Sequence, residues 1–455
     1  MSRPGTPAPA SESDHPSDRR RDRRPLVLVE GATLLSGTGN GVALVALPWL
    51  VLERTGSPAA AGLVAAATAV PLLASSLLSG TVVDIVGRRR TSVVSDALSG
   101  LSVAAIPLVD ATVGLTLPVL MVLAALGAVF DPAGVTARET MIPAASHAAG
   151  WRLERANSVH EAVWGVAFLL GPGVGGVLIA TVGAVGTLWV TAAGFALSLV
   201  MVSLVRLPGA GTPLPRDRPA GIWRGTREGL SYVWGDRLLR TLAVFLMVFV
   251  AVYLPIEGIV LPTYFVEAGA PARLGAVVMA MSAGGVLGAL AYAAWGHLVA
   301  RRTAFVVALV GACLAVLGMS VLPTFPALLA LAAATGLLYG PVDPLANYAM
   351  QTRTPEHLRG RVVGVMTSAQ YAAGPVGYLL VGPLVERAGP ETAFVVLAVA
   401  LLAVGVATAA LPVLRGLDDE PRYPPSPDAV PAPPAGSIRG PLPLGEQDVP
   451  RLRAQ

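Results

Sequence analysis

The chain has 455 residues, of which 54% are hydrophobic and only 13% charged, at a mean hydropathy of +0.66. Soluble domains carry about 25% charge, so a soluble enzyme or scaffold is excluded and the chain is read as an integral membrane protein. Its formal charge of +4 comes from 32 arginines and no lysine, gathered in short segments between apolar runs, a distribution that does not make a nucleic-acid surface.

Residues 1–25 are polar, proline-rich and charged, ending in Arg19-Arg20-Arg21-Asp22-Arg23-Arg24. A secretory leader would have a short apolar core and a cleavage site; here the apolar run continues to Leu52, which predicts a disordered cytosolic arm and an uncleaved first span. Runs of roughly 17–25 residues or more span a bilayer. About twelve occur: 26–52, 57–82, 91–109, 114–138, 157–181, 184–206, 239–266, 271–298, 303–322, 325–350, 361–384 and 390–412. Their continuity excludes the alternating strands of a membrane barrel. The expected organisation is a six-helix bundle over 26–206, a linker over 207–238, a second bundle over 239–412 and a disordered tail over 413–455. Aromatic and basic residues in Ile222-Trp223 through Trp234 predict a linker helix lying in the interface. With both termini cytosolic, 29 arginines fall on the cytosolic side and three (Arg54, Arg273 and Arg387) outside, the orientation that the positive-inside rule selects. Abundant Ala, Gly and Pro without Lys reads as a GC-rich bacterial coding bias.

Between the second and third runs lies Gly80-Thr81-Val82-Val83-Asp84-Ile85-Val86-Gly87-Arg88-Arg89-Arg90. Gly80, Asp84, Gly87 and the arginine cluster Arg88, Arg89 and Arg90 make a tight turn in which the Asp can hold a helix end. Further stretches follow: Gly39-Asn40-Gly41, Phe130-Asp131-Pro132-Ala133 through Ile142-Pro143, Glu154-Arg155-Ala156-Asn157-Ser158, Gly171-Pro172-Gly173-Val174-Gly175-Gly176, and Thr354-Pro355 through Val363. Together these motifs resemble the major facilitator superfamily over about residues 26–412, and within it the drug and siderophore exporter branch of macrolide and enterobactin exporters. Two departures stand out. Ile85 replaces the basic residue that the family places after the Asp, and Leu120 through Gly127 lacks the mid-membrane arginine that proton antiporters of the family often carry in the fourth helix; Arg138 follows only near the cytosolic end. The resemblance implies an all-α major facilitator fold and a transporter rather than an enzyme.

The halves repeat. Asp131-Pro132 recurs as Asp343-Pro344 and Pro143 as Pro355, both 212 residues on, while Gly171-Pro172 recurs as Gly374-Pro375 after 203. Gly296 through Arg302 is a worn copy of the Asp84 turn. This order predicts two six-helix repeats with a substrate site between them near the midplane. Gly171, Pro172, Gly175 and Gly176 place small residues four apart, which lets helices approach closely, and the proline frees a backbone hydrogen bond. The match of the same residues to a dinucleotide fingerprint fails, because no strand precedes it.

A charged residue near the bilayer centre costs at least about 2.5–3.5 kcal/mol unless paired or wet. Asp131, Glu257 and Asp343 lie well inside predicted spans; Glu30, Asp96, Glu139 and Glu161 lie nearer cytosolic ends. Burial disfavours the charged form of a carboxylate, which fits such a group to take up and release protons. Asp131, Glu257 and Asp343 are therefore the proton-coupling candidates. Bracing a bend beside Pro132 or Pro344 is the alternative for the two aspartates, and an external vestibule for Glu257. Asp96 reads as structural and Glu30 as interfacial. Asp343, Asn347 and Gln351 share one helix face, as do Thr33, Ser36, Gly37 and Asn40, and both faces are expected to line a substrate path. Asn40, Asn347, Gln351, Tyr253 and Tyr371 are the substrate-cavity candidates, with helix packing the alternative role for aromatics such as Trp49, Trp164, Phe168 and Tyr292. His160 and His297 sit at span ends, where solvated roles are expected. No histidine pair has ligand spacing, and the lone Cys313 makes neither a disulfide within the chain nor a cysteine metal cluster. No metal, cofactor or nucleotide loop is expected. The expected function is export of a small amphipathic compound by proton antiport, by a monomer in the bacterial cytoplasmic membrane. A siderophore exporter is the alternative, ahead of an uptake permease or a non-transporting sensor.

Overall fold

The computed structural model describes residues 21–207, 222–420 and Arg422. The expected disorder of most of the arm and of the tail beyond Arg422, and the first part of the linker, lie outside the described residues. The chain forms α1 (Arg24–Thr55), α2 (Pro58–Val86), α3 (Arg88–Thr112), α4 (Leu117–Ala149) and α5 (Leu153–Ser203). After the linker come α6 (Ile222–Gly235), α7 (Arg237–Pro255), a π turn (Ile256–Val260), α8 (Leu261–Glu267), α9 (Pro271–Trp295) and α10 (Arg301–Ser320). The last elements are α11 (Phe325–Tyr339), α12 (Val342–Arg353), α13 (Glu356–Ala388) and α14 (Pro390–Ala409). No strand occurs among the described residues.

Among the described residues, ten segments are long and apolar enough to cross a membrane, and the count reaches twelve for physical reasons. At 1.5 Å per residue, α5 would run about 75 Å, more than twice a hydrocarbon core. Gly183, at φ 75° and ψ 169°, breaks it into two spans in a conformation that a Cβ would strain. The other addition is α13, whose first half carries Arg361, Thr367, Ser368 and Gln370 among its apolar residues. Proline at the first turn of α1, α2, α4, α9, α11 and α14 sets these starts, because a missing N–H there removes no helical bond. Asp236 caps α7 by accepting from the N–H groups of Leu238 and Leu239 at 2.8 and 3.1 Å.

α1 lies along α5, and α3 packs on α4 and α5; in the second half α13 packs on α7 and α10 on α11 and α14. The halves meet along two seams, α5 with α9 and α2 with α13. Glycine sets the approach in both. A Cβ on Gly171 would lie 2.6 Å from the Cα of Gly41 in α1, and one on Gly176 would lie 2.9 Å from the Cα of Gly275 in α9. In the related helix α13, a Cβ on Gly377 would meet the Ala251 carbonyl of α7 at 2.0 Å, and one on Gly382 the Ala59 Cα of α2 at 3.0 Å. Each of these two helices is thus clamped to its own half by one glycine and to the opposite half by another.

Two expectations change. Residues 413–417, read as the start of a disordered tail, form with Pro412 a 3-10 helix in which Leu414 and Leu417 are buried. On α1, Thr33, Ser36 and Gly37 are buried rather than lining a path: Gly37 seats Trp164 and Ala167 of α5, and Ser36 is held by α4.

Candidate functional site

The turn after α2 is one residue long. Gly87 closes α2 and opens α3 at φ 94° and ψ 141°, where a side chain would be strained. Asp84, half-buried, occupies the last turn of α2. Arg89 donates to the Ser203 carbonyl and so covers an orphan acceptor at the end of α5. Arg88 is half-buried and Arg90 exposed. The surroundings of Gly80 and the side chain of Tyr371 lie outside the described residues.

Within the first half, a charge network crosses the bundle. Arg138 of α4 is only 1% exposed. Its Nη1 donates to Asp96 Oδ1 of α3 at 2.9 Å, and its Nη2 to Ser36 Oγ of α1 at 3.0 Å. Ser198 of α5 donates to the other Asp96 oxygen at 2.7 Å. One ion pair therefore ties four helices. Arg138 supplies a buried cation about three turns beyond the stretch where the sequence lacks one, and because α4 runs on to Ala149 it lies inside the bundle rather than near the helix's cytosolic end. The available signal was an Asp and an Arg in neighbouring helices at matching depth. Asp96 keeps the structural role expected of it. Asn40 Nδ2 donates to Asp131 Oδ1 at 2.9 Å, bringing together two residues singled out separately. Both are half-buried, and Arg138 and Asp96 lie within electrostatic reach of Asp131.

Glu30 and His160 also depart from expectation. They are 7% and 5% exposed and face each other across α1 and α5, with Nδ1 3.1 Å from Glu30 Oε2. The interfacial and solvated roles are therefore replaced by a buried pair, because α1 and α5 lie along one another at this level.

The second half is built differently. Glu257 sits in the π turn that follows Pro255; the proline removes a donor from the ladder, and widened turns of this kind recur at functional sites. Tyr378 of α13 packs on Gly258. Tyr253, one turn before Glu257, stacks on Phe249 at 5.5 Å, and Tyr339 stacks on Phe249 at 5.1 Å and on Tyr253 at 6.5 Å. Asp343, Asn347 and Gln351 form one exposed row on α12, opposite the buried Leu345, Ala346, Ala349 and Met350. Among the described residues, neither Glu257 nor Asp343 has a hydrogen-bond or ion-pair partner. Trp49, by contrast, is core.

At the end away from the arginine clusters, Glu386 of α13 accepts from Ser57 Oγ at 2.8 Å and from the Ala59 N–H at 3.1 Å. Gly176 abuts the Pro271 carbonyl there. At the arginine-rich end, α6, α7, α13 and the 3-10 helix enclose a cleft of about 1030 Å³. Arg353 spans it, donating to Asp419 Oδ2 at 2.8 Å and to the Gly416 carbonyl at 2.7 Å. No cluster of three or more His, Cys, Asp or Glu side chains suited to a metal occurs among the described residues.

The family model of the Major Facilitator Superfamily matches residues 31–377 and, in a second match, 256–446. The chain is 47% identical over 399 residues to the multidrug efflux pump Tap of Mycolicibacterium fortuitum, covering 87% of this chain and 98% of that protein. It is 24% identical over 379 residues to the enterobactin exporter EntS of Escherichia coli O1:K1, covering 82% and 88%. The crystal structure of the nucleoside transporter NupG superposes with a TM-score of 0.70 at 12% identity, over 85% of this chain and 98% of that one.

Proposed function

Because the chain belongs to the major facilitator superfamily and is a multi-pass membrane transporter rather than an enzyme, we propose that it exports small amphipathic compounds in exchange for protons. The observation that carries this reading is the 47% identity, over nearly the whole of both chains, to a protein named as a multidrug efflux pump. The arginine-rich end faces the cytosol, and the protein works as a monomer in the bacterial cytoplasmic membrane. The cross-half contacts at the other end, Ser57 and Ala59 with Glu386 and Gly176 with Gly275, support a state closed outside and open to the cytosol.

Roles follow from the geometry. The Phe249–Tyr253–Tyr339 stack beside Glu257 suits a flat, positively charged cargo, since aromatic faces and a carboxylate both attract cations. Asn40, Asn347 and Gln351 supply polar contacts, and Asp343 lies at the head of their row. Asp131 and Glu257 exchange the proton, with Asp343 as the repeat-related partner. Asp84 and Arg88, Arg89 and Arg90 stabilise one gate conformation, and Gly171, Pro172, Gly175 and Gly176 keep α5 close enough to α1 and α9 to rock between them. The similarity to EntS supports a second reading in which the cargo is a siderophore or related metabolite.

Acid-loaded inside-out vesicles test the proposal. Accumulation of a cationic antibiotic that a protonophore abolishes is expected. Equal accumulation with and without the pH gradient overturns antiport, and protection of growing cells by the protein separates export from uptake.

A further inference from the structure

Trp164 fixes the protonation of the Glu30–His160 pair. An indole nitrogen is a donor only, and Trp164 Nε1 lies 3.2 Å from His160 Nε2. Nε2 must therefore be the bare, accepting nitrogen. The ring's single hydrogen then sits on Nδ1 and is donated to Glu30 Oε2, 3.1 Å away. The imidazole is therefore neutral, and with the carboxylate ionised the pair carries a net negative charge. Its other oxygen, Glu30 Oε1, is buried without a hydrogen-bond partner, a costly arrangement in a low-dielectric interior.

Among the described residues, no guanidinium is paired with Glu30. Glu139 of α4 lies within electrostatic reach of His160, and Arg138 and Glu161 lie within reach of Glu139, but Arg138 is already held by Asp96 of α3. α9 carries one charged residue, Arg273, near its far end, and α2 carries one, Asp84, in its last turn.

We infer that the Glu30–His160 pair is a proton-binding site of the transport cycle and that Trp164 moves when the site fills. The proton adds to the Nε2 lone pair, giving an imidazolium held by Glu30 and leaving the pair neutral. Nε2 then bears a hydrogen that points at the indole N–H, and two donors cannot share that contact, so the Trp164 bond breaks. Trp164 is wedged on Gly37 of α1 and lies 5.5 Å from the Phe168 ring. Phe168 is half-exposed, on a helix whose flanking glycines pack on α1 (Gly171) and α9 (Gly176), which turns it toward the space between those helices. Filling the site therefore reshapes the wall of that space. The inference deepens the antiport reading and rests on it for its place in the cycle, while the proton site itself is tested without substrate.

The full chain in lipid nanodiscs, with nitrogen-15 histidine, is titrated from alkaline to acidic buffer. A wild-type His160 signal with hydrogen on Nδ1 alone is expected at alkaline pH, passing to hydrogen on both nitrogens on acidification. A loss of the Trp164 indole N–H hydrogen-bond signature should accompany it. In parallel, a tryptophan fluorescence change with the same midpoint should disappear in Trp164→Phe and in His160→Gln, and shift to lower pH in Glu30→Gln. Hydrogen on Nε2 at alkaline pH, a ring that never titrates, or a fluorescence change that survives Trp164→Phe would each overturn the site. Loss of substrate-driven proton release in vesicles, with the titration intact, would remove the antiport reading and leave the site standing.

Discussion

The two halves carry the same motifs in the same order, yet they handle charge within the spans in opposite ways. In the first half, Arg138 neutralises Asp96 and gathers Ser36 and, through the carboxylate, Ser198, so four helices share one charge-paired network. At the position related to Arg138 by the 212-residue offset, the second half has Met350. There, Glu257 and Asp343 stand without an ion-pair partner among the described residues, and stacked aromatics take the place of the cation. A buried ion pair fixes geometry, whereas a lone carboxylate beside an aromatic wall is available to an incoming proton or cation. On the proposed reading, the first half supplies more of the rigid frame and the second more of the ligand exchange, with Asp131, tethered by Asn40 at the edge of the network, and the Glu30–His160 pair as the exchangeable groups of the first half.

The largest expected effect breaks the charge-paired side. Arg138→Met leaves Asp96 buried and uncompensated, at a cost of about 3–5 kcal/mol, and should show as loss of monodisperse protein and a large drop in melting temperature. Adding Asp96→Leu should recover much of that loss, since removing both charges is close to neutral. Melting curves that rank the double variant below the single one would contradict the pairing.

Next comes the seam between halves. A side chain on Gly176 meets the backbone of Gly275 and Pro271 at 2.9 and 2.6 Å, which cannot swing aside. Gly176→Leu should cut flux in proteoliposomes by tenfold or more while the protein stays folded, because the outward-closed state is wedged open. Normal flux would show that the seam yields.

A smaller change probes the aromatic side. Tyr339→Leu removes one face of the stack, and a cation–π contact is worth about 0.5–2 kcal/mol. Affinity for a cationic cargo should fall by about 2- to 30-fold, with less change for a neutral analogue, in equilibrium binding. Equal losses for both would make the stack a packing feature.

Smallest is Ser57→Ala, which removes one hydrogen bond to the exposed Glu386, at about 1 kcal/mol. It should shift the balance toward the state open outside by roughly fivefold, read as faster labelling of a cysteine placed at the half-buried Ala59. An unchanged labelling rate would mean that the glycine seam alone holds that end.

Much of this was legible in the sequence, and the reasons are physical. Spans are announced by apolar length, the Gly87 turn by its glycine beside arginines, and the exposed row of Asp343, Asn347 and Gln351 by helical spacing, since each is a local property. Partners are not. Arg138 and Asp96 are 42 residues apart, Asn40 and Asp131 are 91, and Glu30 and His160 are 130. Periodicity tells which face a residue occupies but not which helix lies opposite. The same blindness explains the Thr33–Ser36–Gly37 face, whose small polar residues read equally well as a substrate path or, as found, as a seat for α4 and α5. The π turn at Glu257 was also hidden, although Pro255 two residues earlier marks where the ladder loosens.

The most direct test of the division between halves is substrate-induced proton release from the purified protein in weakly buffered detergent solution, comparing wild type with Asp131→Asn, Glu257→Gln and Arg138→Lys. Release by the wild type, its loss in the two neutral amides and its retention in Arg138→Lys are predicted, because exchange resides in the carboxylates and the cation serves only the frame. Unchanged release in both Asp131→Asn and Glu257→Gln would contradict the account.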